Sequence, residues 1–234
     1  MNRKHGTRNA PPEKRAYYPA FINLQGMHCV VVGGGKVAER KVASLLRSGA
    51  KVTVISPALT GALAKKKEKG IIAHRERNYR KGDLKGAFLV VAATSDEETN
   101  RKISGDAPCL VNVVDRPEMA NFIVPSVVSR GLLTVAVSTS GASPALARAL
   151  REEIGLLYGK EFGQFLVFLR ALRKRALREV PDREERERFF RGAASPEILA
   201  LLRSDGFGRA KEELLERFPG IRKKDPEEGR KHSP

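Results

Sequence analysis

Residues 29–46, CVVVGGGKVAERKVASLL, constrain the fold of this chain more than any other stretch. A β-branched run (Val30, Val31, Val32) reaches three consecutive glycines, Gly33, Gly34 and Gly35, and a helical pattern begins directly after them. Val37, Ala38, Lys41, Val42, Leu45 and Leu46 recur at spacings of three and four, so they share one face of a helix. Strand, glycine turn, helix is the opening unit of a dinucleotide-binding fold. Gly33, Gly35 and Ala38 stand in the G-x-G-x-x-A pattern. There the first residue permits a tight turn, the second a close backbone approach to a pyrophosphate, and the third close packing of helix on strand. The helix N-terminus then offers unbonded N–H groups and the positive end of its dipole to phosphates. A glycine-rich turn with a purely structural role is the alternative that the pattern alone leaves open.

The chain then repeats strand and helix. Residues 51–55 (KVTVI), 71–74, 88–92 (FLVVA) and 110–114 (LVNVV) read as strands, and 59–68 and 96–104 as helices. This alternation predicts a parallel sheet with helices on both faces. In the usual fingerprint an acidic residue ends the second strand and binds the adenosine ribose. Ser56 stands there instead, followed by Pro57 and Ala58, so the choice between NAD and NADP is weakly specified. Lys51 and Lys65, Lys66 and Lys67 lie nearby and would favour a 2′-phosphate. Ala93 and Thr94 end the fourth strand, where a small residue lines a cofactor cleft. Asp115 ends the fifth; a carboxylate there is either catalytic or a turn former, and position alone does not decide.

Beyond residue 122 the pattern changes. Residues 123–128 and 132–139 read as strands around a turn at Ser129, Arg130 and Gly131. Ser143 and Pro144 then open a helix over 145–157, with Leu146, Ala149, Leu150 and Ile154 on its apolar side. Helices follow over 159–177, 182–190, 195–202 and 210–218; the Phe/Leu face of 162–172 is a core or a subunit interface. Cys29 and Cys109 sit in apolar runs without metal-ligand spacing and read as reduced core residues. No apolar run reaches the length of a membrane span, and the basic N-terminus has no hydrophobic signal region, so a cytoplasmic protein is expected. Lys and Arg number 24 against 11 acidic residues in 1–150, and 20 against 16 in the remainder, within a net charge of +17. No nucleic-acid-binding motif accompanies this excess, which suits a polyanionic small molecule.

Four stretches together resemble one family: HCVVVGGGKVAERKVASLL, FLVVAATSD, NVVDRPEMANFIVPS and VAVSTSGASPALARALRE. In order and spacing they are similar to the siroheme-synthase N-terminal family, precorrin-2 dehydrogenases and bifunctional dehydrogenase/sirohydrochlorin ferrochelatases. The resemblance covers roughly residues 17–175. It implies an α/β fold: a Rossmann-like parallel sheet, a small mixed dimerisation region and a helical C-terminal region. The expected organisation is a disordered basic tail (1–16), an NAD-binding domain (17–122), a dimerisation region (123–158), a helical region (159–220) and a disordered tail (221–234). The implied reaction is NAD-dependent oxidation of precorrin-2 to sirohydrochlorin, with insertion of Fe²⁺ as a second activity of some members, in a homodimer with no nucleic-acid or membrane partner. The family's acid matches Asp115, carried over as general base. Thr94 and Asn112 then fall near the nicotinamide, and Lys36, Val37, Ser56, Pro57 and Ala58 near the pyrophosphate and adenosine. Arg40, Lys41, Arg116, Arg130 and Arg148 become candidates for the substrate's carboxylates. Thr139 replaces a serine found in some members, with Ser138 and Ser140 beside it, and Ser140 joins the substrate-binding candidates. A non-catalytic nucleotide-sensing or polyanion- or tetrapyrrole-binding protein is the competing expectation.

Overall fold

The computed structural model describes residues 17–219. They form two compact units, one extending to Val124 and one beginning at Pro125. The expected disordered tails at 1–16 and 221–234 lie outside the described residues.

The first unit is a five-stranded parallel sheet built from β1 (His28–Val32), β2 (Lys51–Ile55), β3 (Ile72–Arg75), β4 (Leu89–Ala92) and β5 (Leu110–Val113). Their spatial order is β3-β2-β1-β4-β5, so the chain moves outward one way from β1 and then returns to its other side. The crevice where that order reverses, beyond the carboxyl ends of the strands, is the usual ligand site of such sheets. Val31 and Cys29 of β1 pack toward α1 (Lys36–Arg47) and α2 (Gly61–Glu68), whereas Val30 and Val32 pack toward α3 (Glu97–Asp106). Burial on both faces explains why the strands read as continuous apolar runs. Val32 pairs with both Ile55 and Ala92, Ile55 with Arg75, and Ala92 with Val113. The strands therefore end level, and Gly33, Ser56, Ala93 and Val114 all leave from one edge. Between β3 and β4 the chain makes successive turns, and Leu84 and Ala87 fill the sheet face there.

In the second unit β6 (Ser126–Arg130) and β7 (Leu133–Val137) pair antiparallel. The strand expected at 123–128 is thus displaced. Pro125, with no N–H to give to a ladder, precedes the strand, and Ser129 and Arg130 belong to it rather than to the turn. Gly131 (φ +62°) opens the remaining two-residue turn. Helices α4 (Pro144–Leu157), α5 (Lys160–Glu179), α6 (Arg183–Gly192), α7 (Pro196–Ser204) and α8 (Gly206–Glu216) complete the unit. Phe162, Phe165 and Leu172 of α5 are buried with Ile198, Leu202, Leu214 and Phe218, so that face is core. At Gly163 helix α5 crosses the hairpin so closely that a Cβ would lie 2.4 Å from the Arg130 carbonyl oxygen. By contrast α4 buries only Ala147, and its apolar side is open, with Leu146 51% and Leu157 50% exposed. No described helix is long and apolar enough to cross a membrane.

Candidate functional site

The three glycines serve three different purposes. Gly33 adopts φ +120°, donates its N–H to the Ile55 carbonyl at 2.9 Å, and would place a Cβ 2.3 Å from the Ala93 oxygen. At Gly34 a Cβ would lie 1.8 Å from the Ala58 oxygen, because the loop after β2 passes directly over it. That loop is fastened down: Thr60 N–H donates to the Gly34 oxygen at 3.0 Å, Ser56 Oγ to the Ala58 oxygen at 2.8 Å, and Thr60 Oγ1 to Glu39 at 2.6 Å. Gly35 differs from both. It caps α1 in an extended conformation, and a Cβ there would meet nothing within 4 Å. The protein's own packing therefore demands Gly33 and Gly34 but leaves bare space above Gly35, at the amino end of α1. A turn that served structure alone would have no use for that third glycine.

A cleft of about 620 Å³ opens at this edge. Gly33, Gly34, Gly35, Lys36 and Val37 form one wall, Ser56 and Pro57 another, and Thr94 and Asp115 lie across from them. Ala58 and Asn112 are not in the lining. Ala58 acts through its carbonyl, as above. Asn112 is buried in β5 and donates its amide to the Phe122 oxygen at 3.2 Å, so the structure gives it a role in the loop behind the cleft, not in the wall. The lining includes four residues that periodicity does not single out: Asn78, Tyr79, Asp96 and Thr99. Asp96 and Thr99 belong to the start of α3, which Asp96 caps; Asn78 and Tyr79 arrive on the turns after β3. The Tyr79 hydroxyl donates to Asp106, and burial, followed by that carboxylate, pushes its pKa well up. Cleft size, open glycine and helix terminus together fit an extended dinucleotide.

Asp115 follows β5 with φ +59°, in the left-handed region that costs an ordinary residue roughly 1–2 kcal/mol. The loop that holds it there is closed on β5 by Asn121. The Asn121 side chain accepts from Val111 N–H at 2.8 Å and donates to the Cys109 oxygen at 2.9 Å, while its backbone N–H donates to the Val111 oxygen at 3.0 Å. Ser104 Oγ adds a 2.6 Å bond to the Met119 oxygen. Opposite, buried Asn100 bonds Thr94 twice, through Thr94 Oγ1 at 2.9 Å and the Thr94 oxygen at 3.1 Å, and fixes the turn after β4. Lys41 is half-buried on α1. Desolvation, and then Arg40, lower its pKa, and Asp115 works against that fall.

Three of the candidate carboxylate contacts, Arg116, Arg130 and Arg148, already have acidic or carbonyl partners. Arg116 pairs with Glu97 at 3.0 Å and Glu118 at 3.9 Å. In the second unit Arg148 pairs with Glu152 at 3.0 Å, and Arg130 donates to the Ser129 and Gly155 oxygens. Ser140 there adopts φ +52° and donates its N–H to Ser138 Oγ, while Thr139 Oγ1 donates to the Ser143 oxygen and accepts from Ser143 N–H. Among the described residues no group of three or more His, Cys, Asp or Glu could hold a metal ion.

Comparison with known proteins agrees with this geometry. Residues 20–126 match a family described as putative NAD(P)-binding, and residues 130–155 match one described as sirohaem biosynthesis protein central. The chain is 40% identical over 201 residues to the siroheme synthase of Thioalkalivibrio sulfidiphilus, covering 85% of this chain and 41% of that protein. It is 41% identical over 189 residues to the siroheme synthase of Methylobacillus flagellatus, covering 78% and 40%. The chain thus spans about two fifths of the length of these curated relatives. A solved structure, that of SirC, a precorrin-2 dehydrogenase, superposes with a TM-score of 0.69 at 26% identity, over 86% of this chain and 98% of its own. An NAD(P)-binding segment at 20–126, a sirohaem-biosynthesis central segment at 130–155 and 40% identity to a siroheme synthase over 201 residues are what this chain shares with the siroheme-synthase family.

Proposed function

We propose that this protein oxidises precorrin-2 to sirohydrochlorin, with NAD as hydride acceptor, as a cytoplasmic enzyme of siroheme biosynthesis. One observation carries the reading. A carboxylate on a left-handed backbone, Asp115 at φ +59°, lines the same cleft as the glycine cradle. When bound, NAD accepts hydride at the nicotinamide C4. Desaturating the macrocycle releases a proton together with that hydride, and Asp115 is the base that takes it. Gly35 and the first turn of α1 hold the pyrophosphate. Pro57 and Ser56 bound the adenosine end, Lys36 and Val37 continue from the cradle, and Thr94, fixed by Asn100, borders the nicotinamide. The substrate is rich in carboxylates. Arg116, Arg130, Arg148 and Ser140 are assigned to them, with the arginines exchanging their present partners for the substrate. Asn112 contributes by holding the loop that carries Asp115.

Two copies of the chain are assigned to the working enzyme. The open apolar stripe of α4 at Leu146, Leu150 and Leu157 is the surface that pairing would cover. A second activity, insertion of Fe²⁺ into sirohydrochlorin at the same cleft, is favoured by the name of the relatives, since siroheme is the iron-loaded product. Iron is then a substrate, and Asp115 accepts the pyrrole protons it displaces.

Incubation with precorrin-2 and NAD tests the first reading by NADH absorbance. Asp115→Asn should abolish turnover and leave NAD binding intact. Folded protein that binds NAD yet forms no NADH would refute the dehydrogenase assignment. Iron insertion is followed by the absorbance of sirohydrochlorin with added Fe²⁺ against an enzyme-free control.

A further inference from the structure

The wall that Ser56 and Pro57 give to the cleft is not held by sheet pairing alone. Ser56 continues the β2–β3 ladder with its N–H, which donates to the Arg75 oxygen at 3.2 Å. In a parallel ladder the residue whose N–H reaches Arg75 accepts in turn from the N–H two residues further along, that of Arg77. That donor is engaged elsewhere: Arg77 N–H turns back to the Arg75 oxygen at 2.9 Å, and β3 ends there. A side chain serves the Ser56 carbonyl instead. His74, the register partner of Val54, brings its Nε2 to 2.9 Å from that oxygen. A carbonyl oxygen only accepts, so Nε2 carries the hydrogen and donates it.

The other nitrogen of the ring fares differently. Nδ1 is buried and has no hydrogen-bond partner among the described residues. A buried polar atom left unpaired costs free energy, and such atoms are rare enough to call for a reason. Ile72, two residues earlier and so on the same strand face, is buried in the α1–α2 side of the sheet. An aliphatic residue at 74 would pack on that face with no orphaned atom, but it would leave the Ser56 oxygen without its donor. What the bond to that oxygen fixes follows from the covalent chain. The Ser56 carbonyl belongs to the planar peptide that ends at the Pro57 nitrogen, and because proline has no N–H, this carbonyl is the only hydrogen-bonding group of that peptide. Beyond Pro57 the strap is pinned again, where Thr60 N–H donates to the Gly34 oxygen at 3.0 Å. His74 is thus the side-chain hold on the β3 side of a strap whose middle lines the cleft.

We infer that His74 is a positioning residue for the dinucleotide: its bond to the Ser56 carbonyl orients the Ser56–Pro57 peptide, and with it the wall that bounds the adenosine half of the ligand. The inference rests on the dinucleotide reading of the cleft and adds to it a residue that is not in the lining. His74 touches no ligand; it acts through Ser56 and Pro57.

Three variants separate the bond from the packing. Glutamine places an amide N–H near the position of Nε2, asparagine is one methylene too short to do so, and leucine has no donor. Titration calorimetry of the full chain with NAD and with ADP-ribose should show His74→Asn and His74→Leu weakened about five- to tenfold for both ligands, the worth of one hydrogen bond, and His74→Gln within about twofold of wild type. With precorrin-2, the KM for NAD should rise by the same factor in the two weakened variants, while kcat at saturating NAD and the KM for precorrin-2 stay at wild-type values. A merely structural role would lower the thermal midpoint and leave the affinities of the folded protein alone. Wild-type affinity for NAD in folded His74→Asn or His74→Leu would overturn the inference, as would a His74→Gln protein as weak as His74→Asn. Should His74→Leu not fold, the comparison of the two amides decides by itself. Failure of the wild type to bind either ligand would remove the cleft assignment on which the inference stands.

Discussion

Replacing Gly33 and Gly35 separately by alanine distinguishes a structural turn from a ligand cradle. At Gly33 the new methyl would sit 2.3 Å from the Ala93 oxygen on a backbone with φ +120°. The left-handed penalty of about 1–2 kcal/mol and an overpacking cost of about 1–3 kcal/mol together predict a loss of roughly 2–5 kcal/mol. At Gly35 the methyl enters empty space on a backbone that any residue can adopt, with φ −82° and ψ −173°. Only the poorer capping by alanine remains, about 0.5–1 kcal/mol. Urea denaturation should therefore show a large drop in midpoint for Gly33→Ala, at unchanged slope, and a small one for Gly35→Ala. Calorimetric NAD binding should show a different pattern. Gly35→Ala should lose binding by about a hundredfold, because its methyl occupies the ground over which a pyrophosphate must pass, a steric loss of some 3 kcal/mol. Full-affinity NAD binding by a stable Gly35→Ala protein would refute the cradle.

Four further outcomes follow from the geometry. Asp115→Gly should relieve the left-handed strain and raise stability by about 1 kcal/mol while abolishing turnover, read as a thermal shift set against NADH formation. Hydrogen bonds from Arg77, then Arg80 N–H and Arg75, hold the Asp83 carboxyl at about 2, below its usual value. Its folded pKa being depressed, its stabilisation of about 1–2 kcal/mol is present above pH 4 and is lost as pH falls through about 2, a loss that acid titration of wild type against Asp83→Asn should expose. Asn100→Ala removes both bonds to Thr94 and should cost about 1–3 kcal/mol, with the KM for NAD rising because the turn after β4 loosens. Leu150→Glu places a charge in the open stripe of α4 and should leave the chain monomeric in light scattering, with its circular dichroism unchanged.

The sheet was legible because burial on both faces writes strands as uninterrupted runs. Val30 to Val32 and Leu89 to Ala92 have almost no exposed surface, and nothing competes with the apolar signal. Where a strand is half-exposed the signal still marks the strand but blurs its ends. The hairpin β6–β7 alternates only weakly, and Pro125 inside the expected strand shifts its start by three residues. Helix α4, read correctly over 145–157, shows a different limit. Its apolar side reads like that of any amphipathic helix, yet in one chain that side meets no core, since periodicity reports which residues share a face and not what the face touches.

The site divides along the same line. Gly33, Gly35 and Asp115 announce themselves because backbone conformation and strand ends are local properties. Asn78 and Tyr79 do not, since their position depends on β3 lying next to β2, a register that the spacing of residues 71–74 cannot express. Asn112 marks the opposite limit. The motif around it pointed to the cofactor, whereas its amide faces the Phe122 oxygen and shares with Asn121 the task of closing one loop on β5. That loop is what holds a non-glycine residue at φ +59° at the mouth of a cleft. The left-handed turn at Asp115 is closed from behind by the amides of Asn112 and Asn121, which bond the following loop to β5, so the fold fixes where the backbone of Asp115 lies.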